Sequence, residues 1–187
     1  MAQIGLKKFF YAKLLTDNEN GVSYDTPKRI IGLNTVDISP TVNKATLYGD
    51  DSALATESSL GEIEVTIDIA DLPIEDAAAL LGHTVEDDGV MISKGGDSAP
   101  YVAIMFESDK HNGETRFVKL LKGKFSESQE TINTRGDSIE YQLPQISASF
   151  VARTYDGAWK KTFDTTDTSV TSSWYTCVES GDKNDNI

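Results

Sequence analysis

Between residues 61 and 70 apolar and polar side chains alternate without a break, Ile63, Val65, Ile67 and Ile69 against Glu62, Glu64, Thr66 and Asp68. Successive side chains of a strand point to opposite faces, so this segment predicts a strand with one aliphatic face and one acidic, wetted face. The period then changes. Ile74, Ala77, Ala78 and Leu81 fall at i, i+3, i+4 and i+7, behind Pro73 and ahead of Gly82. Glu75 and Asp76 suit the positive end of a helix dipole, Pro73 suits its start, and Gly82 suits the left-handed residue that closes it. One helix is predicted over about 73–82.

The remaining signals are strand and turn. Residues 101–107 and 115–125 are rich in aromatic and branched side chains, and Asn112-Gly113 between them predicts a hairpin with a longer connection. In residues 139–153 the apolar phase flips: Ile139, Tyr141 and Leu143 are odd, whereas Ile146, Ala148, Phe150 and Ala152 are even. A flip requires an extra residue, so a bulge or break is predicted at Leu143 and Pro144. Residues 9–15, 29–42, 90–93 and 158–163 are further strand candidates. Residues 43–59, with Leu47, Tyr48, Asp50 and Asp51, hold few core-forming side chains and read as a long loop; such loops in compact domains are usually functional or disordered. The Ser/Thr-rich stretch from Thr165 leads to Trp174-Tyr175, an aromatic pair that predicts a docking arm over 165–187. The pattern is mainly β (α+β), with one helix and no internal repeat.

The length of 187 residues fits a single domain over 1–187, and 39% hydrophobic residues with 9% aromatics predict a thin core. Seventeen Lys and Arg against 30 Asp and Glu give a net charge of −13, which argues against binding nucleic acid by neutralising phosphates. No apolar run approaches a membrane span, and the expectation is a soluble chain without a secretory signal. Cys177 is the single cysteine, so neither an internal disulfide nor a Cys-based zinc site is expected.

Catalytic signatures are thin. His83 follows the helix end and His111 lies in a turn, with no His-x-x-x-His and no Gly-x-Ser-x-Gly, and Cys177 has no evident His partner. Asp50-Asp51 and Glu86-Asp87-Asp88 read as solvated turns; Asp17-Asn18-Glu19-Asn20-Gly21 places its Gly one position too early for a calcium loop. Gly95-Gly96 lacks the Lys-Ser or Lys-Thr of a phosphate loop. No catalytic residue, cofactor or metal ligand is assigned. The acidic face of Glu62, Glu64 and Asp68 is either an ordinary solvated sheet face or a wall that repels phosphates, and the second reading needs a channel that one small domain lacks.

Taken in order, several short runs resemble the major tail protein family of long-tailed, non-contractile bacteriophages, the tail tube subunits of phages of Gram-positive bacteria. They are Gly5-Leu6-Lys7-Lys8 to Ala12-Lys13-Leu14, Ala45-Thr46-Leu47-Tyr48 with Asp50-Asp51, Ser58-Ser59-Leu60-Gly61-Glu62-Ile63, Ala70-Asp71-Leu72-Pro73 and Leu80-Leu81-Gly82-His83. Lys122-Gly123-Lys124-Phe125, Gln142-Leu143-Pro144-Gln145-Ile146 and Trp174-Tyr175 continue the series. The resemblance implies a non-enzymatic virion protein without cofactor: a two-sheet β-sandwich or barrel with one flanking helix, a long stacking loop and terminal arms. It implies self-assembly as hexameric rings stacked into a tube that conducts genomic DNA without binding it specifically. Tape-measure, tail terminator and distal tail proteins are the implied partners, with no membrane. Residues 43–59, with Leu47, Tyr48, Asp50 and Asp51, would then bridge rings. Glu62, Glu64 and Asp68 would face the lumen, and 165–178, with Trp174 and Tyr175, would dock on a neighbour. The short polar stretch from Gly181 departs from that pattern. The competing class is a β-sandwich carbohydrate-binding or virion-decoration module, stacking sugars on Tyr155, Trp159, Trp174 or Tyr175.

Overall fold

A computed structural model of the chain describes residues 2–50, 52–127, 134, 143–167 and 174–179. It is mainly β with one helix, as the pattern predicts. The strands, in chain order, are β1 (Gln3–Asn18), β2 (Gly21–Tyr24), β3 (Lys28–Ile30), β4 (Leu33–Gly49) and β5 (Ser52–Ile69). After α1 (Ile74–Leu81) come β6 (Thr84–Val85), β7 (Met91–Ile92), β8 (Val102–Lys110), β9 (Thr115–Ser126), β10 (Gln145–Phe150) and β11 (Lys160–Thr165). One nine-stranded sheet runs β2-β1-β8-β9-β10-β5-β4, with β3 also on β1 and β11 also on β9; β6 and β7 form a second, two-stranded sheet. All pairs are antiparallel.

The large sheet curls on itself into a half-barrel, so that one sheet supplies the opposed layers. Ile30 of β3 and Ile67 and Ile69 of β5 come from opposite ends of the strand order, yet share one core with Phe9, Ile104, Leu120 and Phe150. A flat sheet could not bring them together, and twist makes the curl natural. The alternation in 61–70 holds: Ile63, Val65, Ile67 and Ile69 are buried, while Glu62 and Glu64 are exposed and Thr66 and Asp68 half-buried.

α1 plugs the open side of this core with Leu80, and Ala79 and Leu81 pack against it. Its limits match the predicted caps. Gly82 is left-handed (φ 80°), and its N–H and that of His83 both donate to the Ala78 carbonyl, at 2.8 and 3.0 Å. A Cβ at Gly82 would also stand 2.4 Å from the Ser98 carbonyl oxygen, so glycine is required twice over. The buried face differs from the predicted stripe: Ile74 is exposed and Leu80 enters the core. The Tyr11 hydroxyl, donating to Asp76 at 2.7 Å, turns that side of the short helix toward the sheet.

A second core lies on the outer face of β1, β8 and β9. Ala12, Ala103, Met105, Phe117 and Leu121 pack there with Tyr24, beneath Tyr175 and Val178. Almost every side chain of β8 is therefore buried, which is why 101–107 reads as a continuous apolar run instead of an alternation. The hairpin β8–β9 turns at Asn112-Gly113 as predicted, with Gly113 at φ 82°.

Three expectations are corrected. Residues 43–59 are not a loop: β4 and β5 pair from Leu33↔Ile69 out to Gly49↔Ser52, making a ribbon that turns at Asp50 (φ 49°). The candidate 29–42 is two strands, because Gly32 (φ 100°) breaks the chain between β3 and β4. The apolar phase of β10 stops at Phe150; Ala152 is exposed and Arg153 is buried in its place. Leu143 and Pro144 do lie outside the strand, and the Ile69 N–H donates to the Pro144 carbonyl at 3.1 Å. Ile139 and Tyr141, on which the flip also rested, lie outside the described residues, as do Asp51 and the stretch 180–187.

Candidate functional site

On the side of the sheet away from the first core, β10, β5 and β4 present polar rows in register: Gln145, Asp68 and Thr35; Ser147, Thr66 and Asp37; Ser149, Glu64 and Ser39. The rows continue onto β9 through Ser126, opposite Ser147, and Lys124, opposite Ser149. Gln145 Nε2 donates to Asp68 Oδ1 at 2.9 Å, and the Ser149 hydroxyl donates to Glu62. A shallow depression of about 280 Å³ is lined by Thr41, Glu62, Glu64, Ser126, Ser147 and Ser149. The expected residues Glu62, Glu64 and Asp68 are thus brought together with Asp37 on one anionic, hydroxyl-rich face.

The same side of the sheet is apolar further on, and there it is covered. Segment 174–179 lies over β1, β8 and β9, with Tyr175 stacked on Phe10 (centroids 4.4 Å apart) and its hydroxyl donating to Glu107 at 3.2 Å. Burial and the Glu107 carboxylate both push the Tyr175 phenol above its usual pKa range. Trp174 packs against Phe117 and Phe163, with Lys119 Nζ 4.4 Å from its ring centroid. Lys119, almost wholly buried, donates to the Cys177 and Val178 carbonyls at 2.9 and 3.2 Å. Arg153 grips Asp156 through two hydrogen bonds (2.7 and 2.6 Å) and Glu179 through a third at 2.8 Å. The aromatic pair expected to dock on a neighbour packs on its own chain.

Sequence reasoning missed Lys119, Glu107 and Arg153. Their only signal was a charged residue inside or next to an apolar run. It also missed Asp17, whose carboxylate accepts from Lys122 Nζ (2.6 Å) and from the Thr154 and Tyr155 N–H groups (2.9 and 3.0 Å). Burial opposes its ionisation, but the lysine and the two N–H donors prevail and hold its pKa down at about 2. Its carboxylate fastens β1 to the turn after β10.

His83 is clamped. Nδ1 lies 2.9 Å from Asp97 and Nε2 2.5 Å from Glu127, while Asp97 also accepts from the Lys94 N–H at 2.9 Å. The Asp97 hydrogen bond, then that of Glu127, raises the imidazole pKa above 6.5 against a desolvation cost. A folded-state pKa above the unfolded one contributes stability that is complete below the unfolded value and is lost as pH rises through the folded value. His83→Gln should therefore melt well below the parent at about pH 6, and the gap should narrow toward about pH 9. Thermal unfolding of both proteins across that range checks it; a gap that widens with pH contradicts the clamp.

These contacts limit the chemistry. Both nitrogens of His83 face carboxylates, so it cannot serve as base to Ser147 or Ser149, and His111 is exposed in a turn. A sugar-stacking platform needs exposed rings, yet Tyr175 is buried, Trp174 and Trp159 are half-buried against the two cores, and Tyr155 alone of the four is exposed. The fold thus presents a mainly β protein with an anionic sheet face and a long two-stranded arm. The family model of phage tail tube proteins matches residues 5–171, and the chain belongs to that family. It is a structural protein of the virion tail. Tail tube proteins generally self-assemble into tubes with other tail proteins. No curated protein matches the chain. The matched stretch ends before Trp174 and Tyr175.

Proposed function

We propose that the chain assembles as hexameric rings that stack into a hollow tube conducting the phage genome, and that it does so without enzymatic activity. The anionic face of β10, β5 and β4 lines the lumen, and the β4–β5 arm bridges successive rings. The observation that supports this most is the register of exposed Glu62, Glu64 and Asp37 with Asp68, Ser147 and Ser149 on one sheet face, next to an apolar stretch over β1, β8 and β9 that the chain's own 174–179 segment covers. Sixfold repetition of Glu62, Glu64 and Asp68 gives stacked rings of negative charge. Within a screening length of about 8 Å they repel phosphates, so DNA passes without adhering. A tape-measure protein inside the tube and terminator and distal tail proteins at its ends complete the assembly.

Electron microscopy of the purified protein at moderate salt should show rings or hollow tubes. Glu62→Lys/Glu64→Lys tubes, sedimented with linear DNA at low salt, should retain at least about tenfold more DNA than parent tubes, and release it as salt rises. Equal retention would place those carboxylates away from the DNA path, and uniform monomers at all concentrations would remove the tube.

A further inference from the structure

Another surface that the fold leaves open is a groove of about 310 Å³ at the base of β4, lined by Lys7, Lys8, Arg29, Ile31 and Leu33 among others. Its origin is local. β1 bulges at Lys8, which has the unusual φ of 52°, and β3 ends one residue before the Ile31-Gly32 break, so neither strand closes the gap beside the start of β4. Ile31 is 73% exposed. Lys7 pairs with Asp109 and Lys8 with Glu107, whereas Arg29 forms no ion pair among the described residues, leaving the groove cationic on a chain of net charge −13.

The arm has the opposite character. Its tip exposes Leu47, Tyr48 and Leu54 (64%, 72% and 65%) beside Asp50. Residues 42–60 contain Asp50, Asp51 and Glu57 against a single cation, Lys44. Apolar side chains left exposed on both faces of a two-stranded ribbon call for a cover, since such a ribbon is marginal alone. The tip cannot reach its own groove. The groove flanks Leu33 and the tip lies at Gly49, the two ends of one extended strand, roughly 50 Å apart at about 3.3 Å per residue.

We infer that the groove of one copy receives the arm tip of a second copy, Tyr48 and Leu54 seating on Ile31 and Leu33 while Asp50 meets Arg29. The inference rests on the proposed stacking and names the receptor for it. Donor and receptor are different surfaces at opposite ends of β4, so the contact is head-to-tail and repeats along the strand direction, which builds an open stack instead of a closed pair.

Two variants test it, each altered only at exposed positions. Arg29→Glu/Ile31→Asp disables the groove and Tyr48→Asp/Leu54→Asp disables the tip. Each alone should lose stacking at least a hundredfold by sedimentation velocity, keeping whatever single-layer state it forms. Mixed in equal amounts, they retain one intact groove and one intact tip, and should give a species of twice that mass and nothing longer. If the mixture does not associate while the parent forms tubes, the groove assignment falls and the tube survives. If either variant stacks like the parent, the groove assignment also falls. A parent that stays monomeric at every concentration removes the tube and this contact with it.

Discussion

Gly123→Val should leave the chain unfolded at room temperature, and Gly123→Ala should cost roughly 3 kcal/mol, the upper part of the range for overpacking a well-filled core. Gly123 lies on β9 directly opposite Phe150 of β10, and the ring lies flat across it: a Cβ would stand 2.6 Å from three ring carbons. The ring has nowhere to go, because Phe150 is fully buried in the first core with Ile63 beside it in register on β5. Backbone strain plays no part, since Gly123 has no positive φ. Packing an aromatic ring over a strand glycine is a known way to offset the glycine's poor strand propensity. Urea unfolding measures the effect, and a double-mutant cycle isolates its cause. Phe150→Leu should be far less damaging in the Gly123→Ala background than in the parent, with a coupling above about 1 kcal/mol. A Gly123→Ala protein within about 0.5 kcal/mol of the parent would show that the ring does not lie there.

The elements that sequence reading located are those whose pattern is imposed locally. β5 alternates in 61–70 because one side faces the core and the other faces water, and α1 carries its own start and stop in Pro73 and Gly82. The arm escaped for a physical reason. From Val42↔Leu60 outward both faces of the ribbon are exposed, so nothing selects apolar against polar at alternate positions and the period-two signal vanishes. A strand without a buried face is indistinguishable from a loop of the same composition. The acidic face was legible as a strip of Glu62, Glu64 and Asp68, but Ser147, Ser149 and Asp37 joined it only through pairing across the sheet. The His83 clamp depends on carboxylates 14 and 44 residues away, a separation over which a sequence pattern says nothing. The docking of Trp174 and Tyr175 had a readable trace in the charged residues Glu107 and Lys119 within strand-like runs. Those residues are buried because the C-terminal segment supplies their partners.

Shortening the arm should separate folding from assembly. If residues 44–58 are replaced by a two-residue Asn-Gly turn joining Asn43 to Ser59, which are already paired across the ribbon, the subunit should melt within a few degrees of the parent. Among the described residues, none of 42–60 contributes to either core. The shorter connection also costs less closure entropy, a change of only about 2 kcal/mol that opposes any loss from cross-strand pairs such as Thr46 with Thr56. The same protein should form no tubes, even at concentrations a hundredfold above those at which the parent assembles, because the exposed Leu47, Tyr48 and Leu54 are the apolar surface that successive layers would bury. Melting by circular dichroism and electron microscopy of the same sample decide it. A shortened protein that assembles normally removes the arm from the stacking contact, and one that fails to fold shows that the ribbon holds β4 and β5 in the half-barrel. The second result would be hard to reconcile with a core in which Val65, Ile67 and Ile69 are already buried between β4 and β10, well inside the base of the arm.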